Sequence, residues 1–223
     1  MTTIAIATNN AGKLKEINDL LATINIKAIS PFAIKPDLLE PEETATTFGE
    51  NALIKARYYG DATNLIALAD DSGLCIPALD NAPGVHSARF ALDANGNKDF
   101  DLAFAKIAQK LQGLGFDNFS KASAYFVCNL CLYNPSNKSF VNFEGRVDGW
   151  IQYPAKGDFG FGYDPIFIKN GMQQTFAEIE PAQKALISHR HLAFTKLQDY
   201  LLKVKPLSFN TSLSSAITNV NAI

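Results

Sequence analysis

The chain has 223 residues, of which 47% are hydrophobic and 19% are charged, and its formal net charge at pH 7 is −2. These proportions are typical of a globular protein with a hydrophobic core. Because acidic and basic residues are mixed along the chain, no basic stripe predicts a nucleic-acid surface and no polybasic segment predicts a membrane surface. The apolar runs are too short to cross a bilayer, and the first residues lack the basic start of a secretory signal, so we expect an intracellular protein.

The chain has three cysteines, Cys75, Cys128 and Cys131. An odd, small number of cysteines is typical of a reducing compartment. Cys128 and Cys131 have the C-x-x-C spacing, but they lie in an apolar, β-rich run, where positions three apart point to opposite faces of a strand. With no second pair to complete a zinc site, we interpret both as free cysteines buried by packing.

Hydrophobic periodicity predicts strands and helices that alternate early in the chain and a long hairpin later. The predicted strands cover residues 4–7, 24–29, 65–69, 121–133 and 139–151, and the predicted helices cover residues 13–21, 47–59, 99–111 and 188–204. The proline- and acid-rich residues 31–43 and the glycine-rich residues 157–164 are predicted loops. This order of elements predicts the α/β class with a mixed sheet.

The composition changes after Pro206, because serine, threonine and asparagine dominate and charged residues disappear. Such a segment buries too little apolar surface to fold stably, so we expect residues 206–223 to form a weakly ordered tail. Residues 1–205 are then predicted to form a single domain.

A polar turn between the first strand and the first helix has features of an anion-binding site. Such a turn directs backbone N–H groups and a helix N-terminus at a ligand, and its lysine adds a full positive charge. The alternative is a capped turn with a solvated lysine, and the residues alone do not decide between the two. The turn consists of Thr8, Asn9, Asn10, Ala11, Gly12 and Lys13.

Two adjacent acids, Asp70 and Asp71, come directly after the apolar strand predicted at residues 65–69, and Ser72 follows them. The carboxyl end of a buried strand is where ligand sites of α/β proteins usually lie. Carboxylate oxygens suit Mg²⁺, and a carboxylate beside a metal-bound water can act as its general base. A solvated turn is the alternative, since these residue types are common in turns. We favour a metal and phosphate site.

Three charged residues upstream are further candidates. Glu42 and Glu43 lie in the loop before the helix that carries Lys55. The acids could complete a metal site and the lysine could contact a phosphate. Each of them alone is more often a surface charge.

Two later segments are suited to a planar ligand rich in acceptors. Glycines and aromatic residues alternate over residues 157–165, so the backbone can approach such a ligand and a ring can stack on it. Lys184, His189 and Arg190 lie before or at the start of the last predicted helix, where the helix dipole disfavours positive charge. Their placement indicates an anionic or acceptor-rich partner. The alternatives are an aromatic-packed turn and a structural histidine.

Taken in order, these segments resemble the inosine triphosphate pyrophosphatase family, whose members are non-canonical purine nucleoside triphosphatases. The similarity covers nearly the whole chain, from about residue 4 to residue 202. It is carried by ATNNAGK at residues 7–13, TFGENALIKAR at 47–57, ADDSGL at 69–74, APG at 82–84, SAR at 87–89, GFGYDP at 160–165 and SHR at 188–190, with Lys184 before the last motif.

The resemblance implies Mg²⁺-dependent hydrolysis of ITP, dITP and XTP to the monophosphate and pyrophosphate by a homodimer. It also implies a long central mixed β-sheet flanked by helices. Residues 1–205 would form a single domain of two lobes, with the nucleotide cleft between the lobes. Asp71 would bind Mg²⁺ and activate water with Asp70 nearby, and Glu42 or Glu43 would be the second metal carboxylate. The residues that the resemblance assigns to substrate binding are Thr8, Asn9, Asn10, Ala11, Gly12, Lys13, Lys55, Ser72, Phe161, Gly162, Tyr163, Asp164, Lys184, His189 and Arg190.

Two other functions are weighed against this one. A pyrophosphatase for modified pyrimidine nucleotides is disfavoured by the motifs at residues 160–165 and 188–190. A nucleotide-binding module without hydrolysis would need no water-activating carboxylate, so the acidic pair speaks against it. The sequence leaves open which purine is preferred, how GTP is excluded, how Asp70 and Asp71 divide their roles and where a dimer interface lies.

Overall fold

A computed structural model of the protein describes residues 3–8 and 10–204. Asn9 and the tail predicted at residues 206–223 lie outside the described residues. The strands are β1 (Thr3–Ala7), β2 (Lys27–Ile29), β3 (Ala67–Cys75), β4 (Ser123–Asn134), β5 (Ser139–Ile151) and β6 (Phe167–Lys169). The helices are α1 (Ala11–Ala22), α2 (Pro31–Ile34), α3 (Phe48–Thr63), α4 (Ser87–Phe90), α5 (Phe100–Gly113), α6 (Pro181–Ile187) and α7 (His189–Val204).

The strands form one six-stranded sheet in the order β2-β1-β3-β4-β5-β6. β1 pairs in parallel with both β2 and β3, whereas β5 and β6 pair in an antiparallel manner. The sheet is therefore mixed, and the predicted α/β class is confirmed. β4 and β5 are neighbours joined by residues 135–138, which confirms the predicted hairpin.

Side-chain caps explain where three of the predicted helices begin. The Asn10 side chain accepts the Lys13 N–H at 3.1 Å at the start of α1, and Asp99 accepts the Leu102 N–H at 2.9 Å at the start of α5. At the start of α3 the Thr47 hydroxyl oxygen accepts the Glu50 N–H at 3.3 Å. Each cap satisfies an N–H group that has no partner inside its helix.

The contacts divide the chain into two compact units. Among the described residues, the first unit comprises residues 3–8, 10–71, 128–145 and 191–204, and the second comprises residues 72–127 and 146–190. No helix in residues 3–8 and 10–204 is both long enough and apolar enough to cross a membrane.

The first unit has two separate hydrophobic clusters. One packs Ile17 and Leu21 of α1 against Leu68 of β3, and the other packs Ala56 and Tyr59 of α3 against Ala69 of the same strand. Successive strand residues point to opposite faces, so Leu68 and Ala69 contribute to different clusters. Cys128 belongs to the first cluster and Cys131 to the second, and both are free thiols, as the strand spacing predicts.

The second unit is built around a single aromatic-rich cluster. Phe104 and Ile107 of α5 pack there with Phe126 of β4 and Phe167 of β6. The ring centroids of Phe126 and Phe167 are 4.7 Å apart in an edge-to-face arrangement, which is favoured by the ring quadrupoles. α5, β4 and β6 thus share one core.

Several predictions of secondary structure are wrong. The strand predicted to end at residue 69 continues as β3 through Asp70 and Asp71 to Cys75, because lysines neutralise both carboxylates and the chain need not turn toward water. The predicted loop at residues 31–43 begins with α2, and α6 lies in a stretch for which no element was predicted. β2 covers only three residues of the strand predicted at 24–29. These short elements carry too few residues for periodicity to identify them.

The buried cysteines lead to a first prediction. Burial raises the pKa of the Cys131 thiol to about 12, so at pH 8 only about one thiol in 10⁴ is the reactive thiolate. We expect iodoacetamide at pH 8 to leave Cys131 unmodified in the native protein and to modify it after unfolding in guanidinium chloride, as read by mass spectrometry. Rapid modification of Cys131 in the native protein would contradict this account of its environment.

Candidate functional site

The helix that follows β1 begins earlier than the sequence predicts. α1 starts at Ala11, so Ala11 and Gly12 belong to its first turn and Asn10 is its N-cap. Within the preceding segment the Asn10 N–H donates to the Thr8 hydroxyl oxygen at 3.2 Å. The first turn of a helix presents backbone N–H groups that can bind an anion. Five of the six predicted phosphate-binding residues therefore lie in or before this turn, and Asn9 is outside the described residues.

Asp70 is held by groups from two different elements. The Lys13 ammonium of α1 forms an ion pair with one carboxylate oxygen, and the Cys128 thiol of β4 donates to the other at 3.1 Å. Asp70 is buried, so this charge depends on such partners. The arrangement makes Asp70 a residue that positions Lys13.

Asp71 faces a second lysine. The Lys55 ammonium lies 3.1 Å from Asp71 Oδ1 and 2.6 Å from Glu43 Oε1, so a single lysine bridges two carboxylates. Asp71 comes from β3, Lys55 from α3 and Glu43 from the loop that precedes α3. Because Asp70 and Asp71 are adjacent on a strand, their side chains point to opposite faces, which explains why they meet different lysines.

The electrostatics of this group follow from its burial. Burial raises the pKa of Asp71 above the ordinary carboxyl value; the ammonium groups of Lys55 and Lys13 oppose this effect and the Glu43 carboxylate adds to it. Burial also acts to lower the pKa of Lys55, but the carboxylates of Asp71 and Glu43 outweigh it and the pKa of that lysine is raised. Lys55 therefore stays charged, and Asp71 is a stronger base than an exposed aspartate.

The remaining oxygen of Asp71 is suited to a cation. Asp71 Oδ2 is buried and has no hydrogen-bond partner among the described residues. An unsatisfied buried carboxylate oxygen is costly, so a group that completes its coordination is expected there. The described residues contain no group of three or more metal-ligating side chains. Two carboxylates with few protein ligands fit Mg²⁺, which usually keeps waters and binds substrate phosphates.

In the second unit, Lys184 of α6 and Asp164 form a buried ion pair at 2.6 Å, with relative exposures of 4% and 2%. The same Asp164 oxygen accepts the backbone N–H of Phe161 at 2.9 Å. Gly160 has φ of +73°, and a Cβ there would lie 2.2 Å from Asp164 Oδ2, so only glycine fits this close approach. Asp164 thus anchors the loop that carries the Phe161 ring.

The Phe161 ring is flanked by two cationic groups. Its centroid lies 4.7 Å from the Lys184 ammonium and 5.9 Å from the guanidinium carbon of Arg190. Arg190, only 1% exposed, also donates to the Ser72 hydroxyl at 3.0 Å. An electron-rich ring face next to fixed cations is a suitable surface for a planar base with acceptor atoms.

His189 and Tyr163 are more deeply integrated into the core. The His189 ring stacks on Phe126 with centroids 4.7 Å apart. The Tyr163 hydroxyl donates to the Ser87 carbonyl oxygen at 2.8 Å, and its ring meets Phe100 edge to face at 5.3 Å. Burial raises the pKa of Tyr163. A role of Tyr163 in substrate binding therefore stays a prediction.

The structure thus places nine of the predicted residues in two groups, one in each unit. The first group contains the ion pairs Lys13–Asp70 and Lys55–Asp71 at adjacent positions of β3, and in the second group Ser72, Phe161, Asp164, Lys184 and Arg190 are linked by contacts. Of the two glutamates left open, Glu43 contacts Lys55, whereas Glu42 is exposed. Cys128 was interpreted as a packing residue, and its contact with Asp70 depends on pairing between distant strands that no local pattern reveals.

This mixed-sheet α/β protein carries a lysine-bridged acidic group in one unit and an aromatic and cationic group in the other, and the chemistry of both groups suits a phosphorylated, planar ligand. The model of the Ham1 family matches residues 4–200, and the chain belongs to this family. The family predicted from the motifs is therefore confirmed.

Individual relatives agree with this assignment. The chain is 45% identical over 194 residues to the dITP/XTP pyrophosphatase of Zymomonas mobilis, a match that covers 87% of this chain and 89% of that protein. The HAM1 protein of Coxiella burnetii has a similar structure, with a TM-score of 0.80, 39% identity and coverage of 91% of this chain and all of that one. The nucleoside-triphosphatase, or dITP/XTP pyrophosphatase, of Mycobacterium abscessus has a TM-score of 0.68 and 37% identity, covering 88% and 98%.

Proposed function

We propose that this chain hydrolyses non-canonical purine nucleoside triphosphates, namely ITP, dITP and XTP, to the monophosphate and pyrophosphate with Mg²⁺. The observation that carries the proposal is the buried Asp71 carboxylate in a chain of the Ham1 family. It lies beside Lys55 and Glu43, and its Oδ2 has no hydrogen-bond partner in the part of the chain that the structure describes. The relative in Zymomonas mobilis is named a dITP/XTP pyrophosphatase, and this name supports the same substrate class.

In the reaction that we propose, Asp71 and Glu43 would hold the metal ion. Bound there, Mg²⁺ would supply positive charge to the phosphates and lower the pKa of a bound water. Asp71 is the base that accepts the proton of the attacking water, and its raised pKa suits it to that task. The water oxygen bonds to the α-phosphorus, the bond to the bridging oxygen breaks, and pyrophosphate leaves.

Lysines and backbone groups stabilise the charge of the triphosphate. Lys55 lies beside Asp71, and Lys13 stands in the first turn of α1, where helix N–H groups add positive potential. Fixed cations and N–H groups stabilise developing phosphate charge without having to reorganise during the reaction. Asp70 contributes by holding Lys13 in place.

Base selection is assigned to the second group of residues. Hypoxanthine and xanthine carry a keto acceptor at the 6-position, whereas adenine carries an amino donor. Phe161 offers a stacking face, and Arg190 and Lys184 offer donors that pair with a keto group and leave adenine unmatched. His189, which lies outside this group and stacks on Phe126, is proposed as a further donor on the resemblance alone. A site built on such hydrogen bonds can reject a mismatched base by roughly 10⁴-fold.

Replacing Arg190 with alanine tests this account of base selection. We expect the ratio of kcat/KM for ITP to that for ATP to fall about 10- to 100-fold, because the loss of a charged donor is worth about 1.5–3 kcal/mol. The measurement is pyrophosphate release from each nucleotide at matched Mg²⁺. Equal losses with ITP and ATP, leaving the ratio unchanged, would remove Arg190 from base selection.

The experiment that tests the proposed function is pyrophosphate release from a panel of nucleoside triphosphates with Mg²⁺. We expect ITP, dITP and XTP to be hydrolysed in preference to ATP, GTP, CTP and UTP. A preference for modified pyrimidine nucleotides would instead identify a different house-cleaning enzyme. Binding without turnover would identify a nucleotide-binding module.

Assembly and location are proposed on the resemblance alone. We propose a homodimer that acts in the cytoplasm, with residues 1–205 as the catalytic domain and residues 206–223 as a weakly ordered tail. Light scattering coupled to size-exclusion chromatography gives the mass that tests the dimer. A monomeric mass at working concentrations would refute it.

A further inference from the structure

A buried asparagine lies on α3, the helix whose Lys55 contacts Asp71 and Glu43, and it has no role in the proposed mechanism. Asn51 has no exposed surface, and it stands one helical turn before Lys55. Asparagine is a poor residue for a helix interior, and a buried amide needs hydrogen-bond partners. The position of Asn51 on the packed face of α3 therefore requires an explanation.

The partners of Asn51 belong to the loop that carries Glu43. Its side-chain oxygen accepts the N–H of Ala45 at 3.0 Å, and its side-chain nitrogen donates to the Ala45 carbonyl oxygen at 3.3 Å. The amide thus pairs with both backbone groups of a single residue, as a neighbouring strand would. Ala45 is two residues from Glu43.

This pairing matters because the loop has no regular secondary structure of its own. Residues 39–46 form no helix or strand. The Glu43 carboxylate nevertheless meets the Lys55 ammonium at 2.6 Å. One face of α3 therefore presents both the amide that fixes the loop backbone and the lysine that receives the loop carboxylate.

We propose that Asn51 is a positioning residue, which fixes the loop at Ala45 and thereby holds Glu43 at the site beside Asp71. Asn51 itself contacts neither Glu43 nor Asp71 by a described hydrogen bond, so it acts through the loop. This inference rests on the proposed function for its effect on metal binding. The loop contact on which it depends can be tested without metal or substrate.

Hydrogen exchange in the metal-free protein tests that contact. Because the Ala45 N–H is bonded to the Asn51 side chain, we expect the Asn51→Ala variant to exchange this amide at least about tenfold faster than the parent protein. The matched control is Asn134→Ala. Asn134 is also buried, and its side chain accepts the Ser136 N–H at 3.0 Å in the β4–β5 turn rather than a group of the loop. It should leave exchange at Ala45 unchanged.

Magnesium binding tests the consequence. We expect Asn51→Ala to raise the Mg²⁺ concentration for half-maximal activity, and the calorimetric dissociation constant for Mg²⁺, about 10- to 100-fold, as for other residues that orient metal ligands. At saturating Mg²⁺ the kcat should return to within about threefold of the parent value, because Asn51 does not touch the reacting atoms. A general loss of structure would instead lower kcat at every Mg²⁺ concentration.

A second variant acts from the loop side and leaves α3 intact. Ala45→Pro removes the N–H that donates to Asn51, and it keeps the proposal testable if Asn51→Ala does not fold. The double variant should be no worse than the more severe single variant, because both changes remove the same contact.

The outcomes separate this inference from the proposed function. Unchanged amide exchange at Ala45 in the Asn51→Ala variant would overturn the positioning role. Faster exchange would also overturn it if the dissociation constant for Mg²⁺ stayed within about twofold of the parent value. Absence of pyrophosphate release by the parent protein from every purine triphosphate would overturn the proposed function, while the exchange result would still decide whether Asn51 fixes the loop.

Discussion

Replacing Asp71 with asparagine is expected to slow pyrophosphate release from ITP by about 10²- to 10⁴-fold, the range typical of losing a general base. Asparagine has nearly the same shape, but its amide does not accept a proton from water and is a weaker metal ligand. Steady-state kinetics with saturating Mg²⁺ and ITP measure the effect. A kcat within about threefold of the parent value would exclude Asp71 as the base.

The Asp71→Asn variant should nevertheless stay folded. Lys55 keeps Glu43 as a partner at 2.6 Å, so the substitution does not leave a buried lysine without a carboxylate. Removing a carboxylate whose pKa is raised by burial also removes a desolvation cost that is present at neutral pH. The two effects oppose each other, so we expect the thermal midpoint to shift by no more than about 5 °C.

A matched control for Asp71 lies in the same unit. Asp61 of α3 forms an ion pair with Lys138 at 2.8 Å between exposed side chains, and it accepts the Tyr133 hydroxyl at 2.9 Å. Asparagine keeps an oxygen that can accept the Tyr133 hydroxyl. Exposed pairs contribute little to stability, and this one is not part of the acidic group. Asp61→Asn should therefore leave both kcat and the thermal midpoint close to those of the parent protein.

Replacing Asp164 with asparagine is expected to lower the free energy of unfolding by about 3–5 kcal/mol, since it removes the carboxylate from a buried ion pair. Lys184 would lose a partner at 2.6 Å, and the loop would lose the ionised acceptor of the Phe161 N–H. Denaturant unfolding at neutral pH measures the change. In kinetics the KM for ITP should rise, because the stacking ring is less well held.

The exposed pair of Arg146 and Asp148 is the control for that prediction. Its N–O distance of 2.6 Å equals that of the Lys184–Asp164 pair, but both of its side chains are about half exposed. Asp148→Asn should cost less than about 1 kcal/mol because solvent screens the pair. Equal losses of stability for Asp164→Asn and Asp148→Asn would show that burial is not what gives the Lys184 pair its importance.

The sequence predicted those elements whose signal is local and repeated. α3 was found because Thr47 and Glu50 mark its start and apolar residues recur at helical spacing, and β4 and β5 were found because each is long and rich in apolar residues. α2 and β6 were missed because four or three residues contain less than one period of any pattern.

At the candidate site, too, the predictions were limited to features that have a local signal in the sequence. Turn-forming residue types at positions 70–73 predicted that the strand would end before Asp70. The lysines that allow the strand to continue come from α1 and α3, so no local pattern signals them. The separate roles of Asp70 and Asp71 likewise follow from strand alternation and from which helix packs on each face. That Glu43 rather than Glu42 contacts Lys55 depends on the course of the loop, which no local pattern signals.

The central claim is that a water activated at Asp71 attacks the α-phosphorus of a non-canonical purine triphosphate. Hydrolysis of ITP in water enriched in ¹⁸O, with mass spectrometry of both products, tests it most directly. We expect one ¹⁸O atom in inosine monophosphate and none in pyrophosphate, because the oxygen of the attacking water bonds to the α-phosphorus. Release of inorganic phosphate with inosine diphosphate, or ¹⁸O in pyrophosphate, would contradict it.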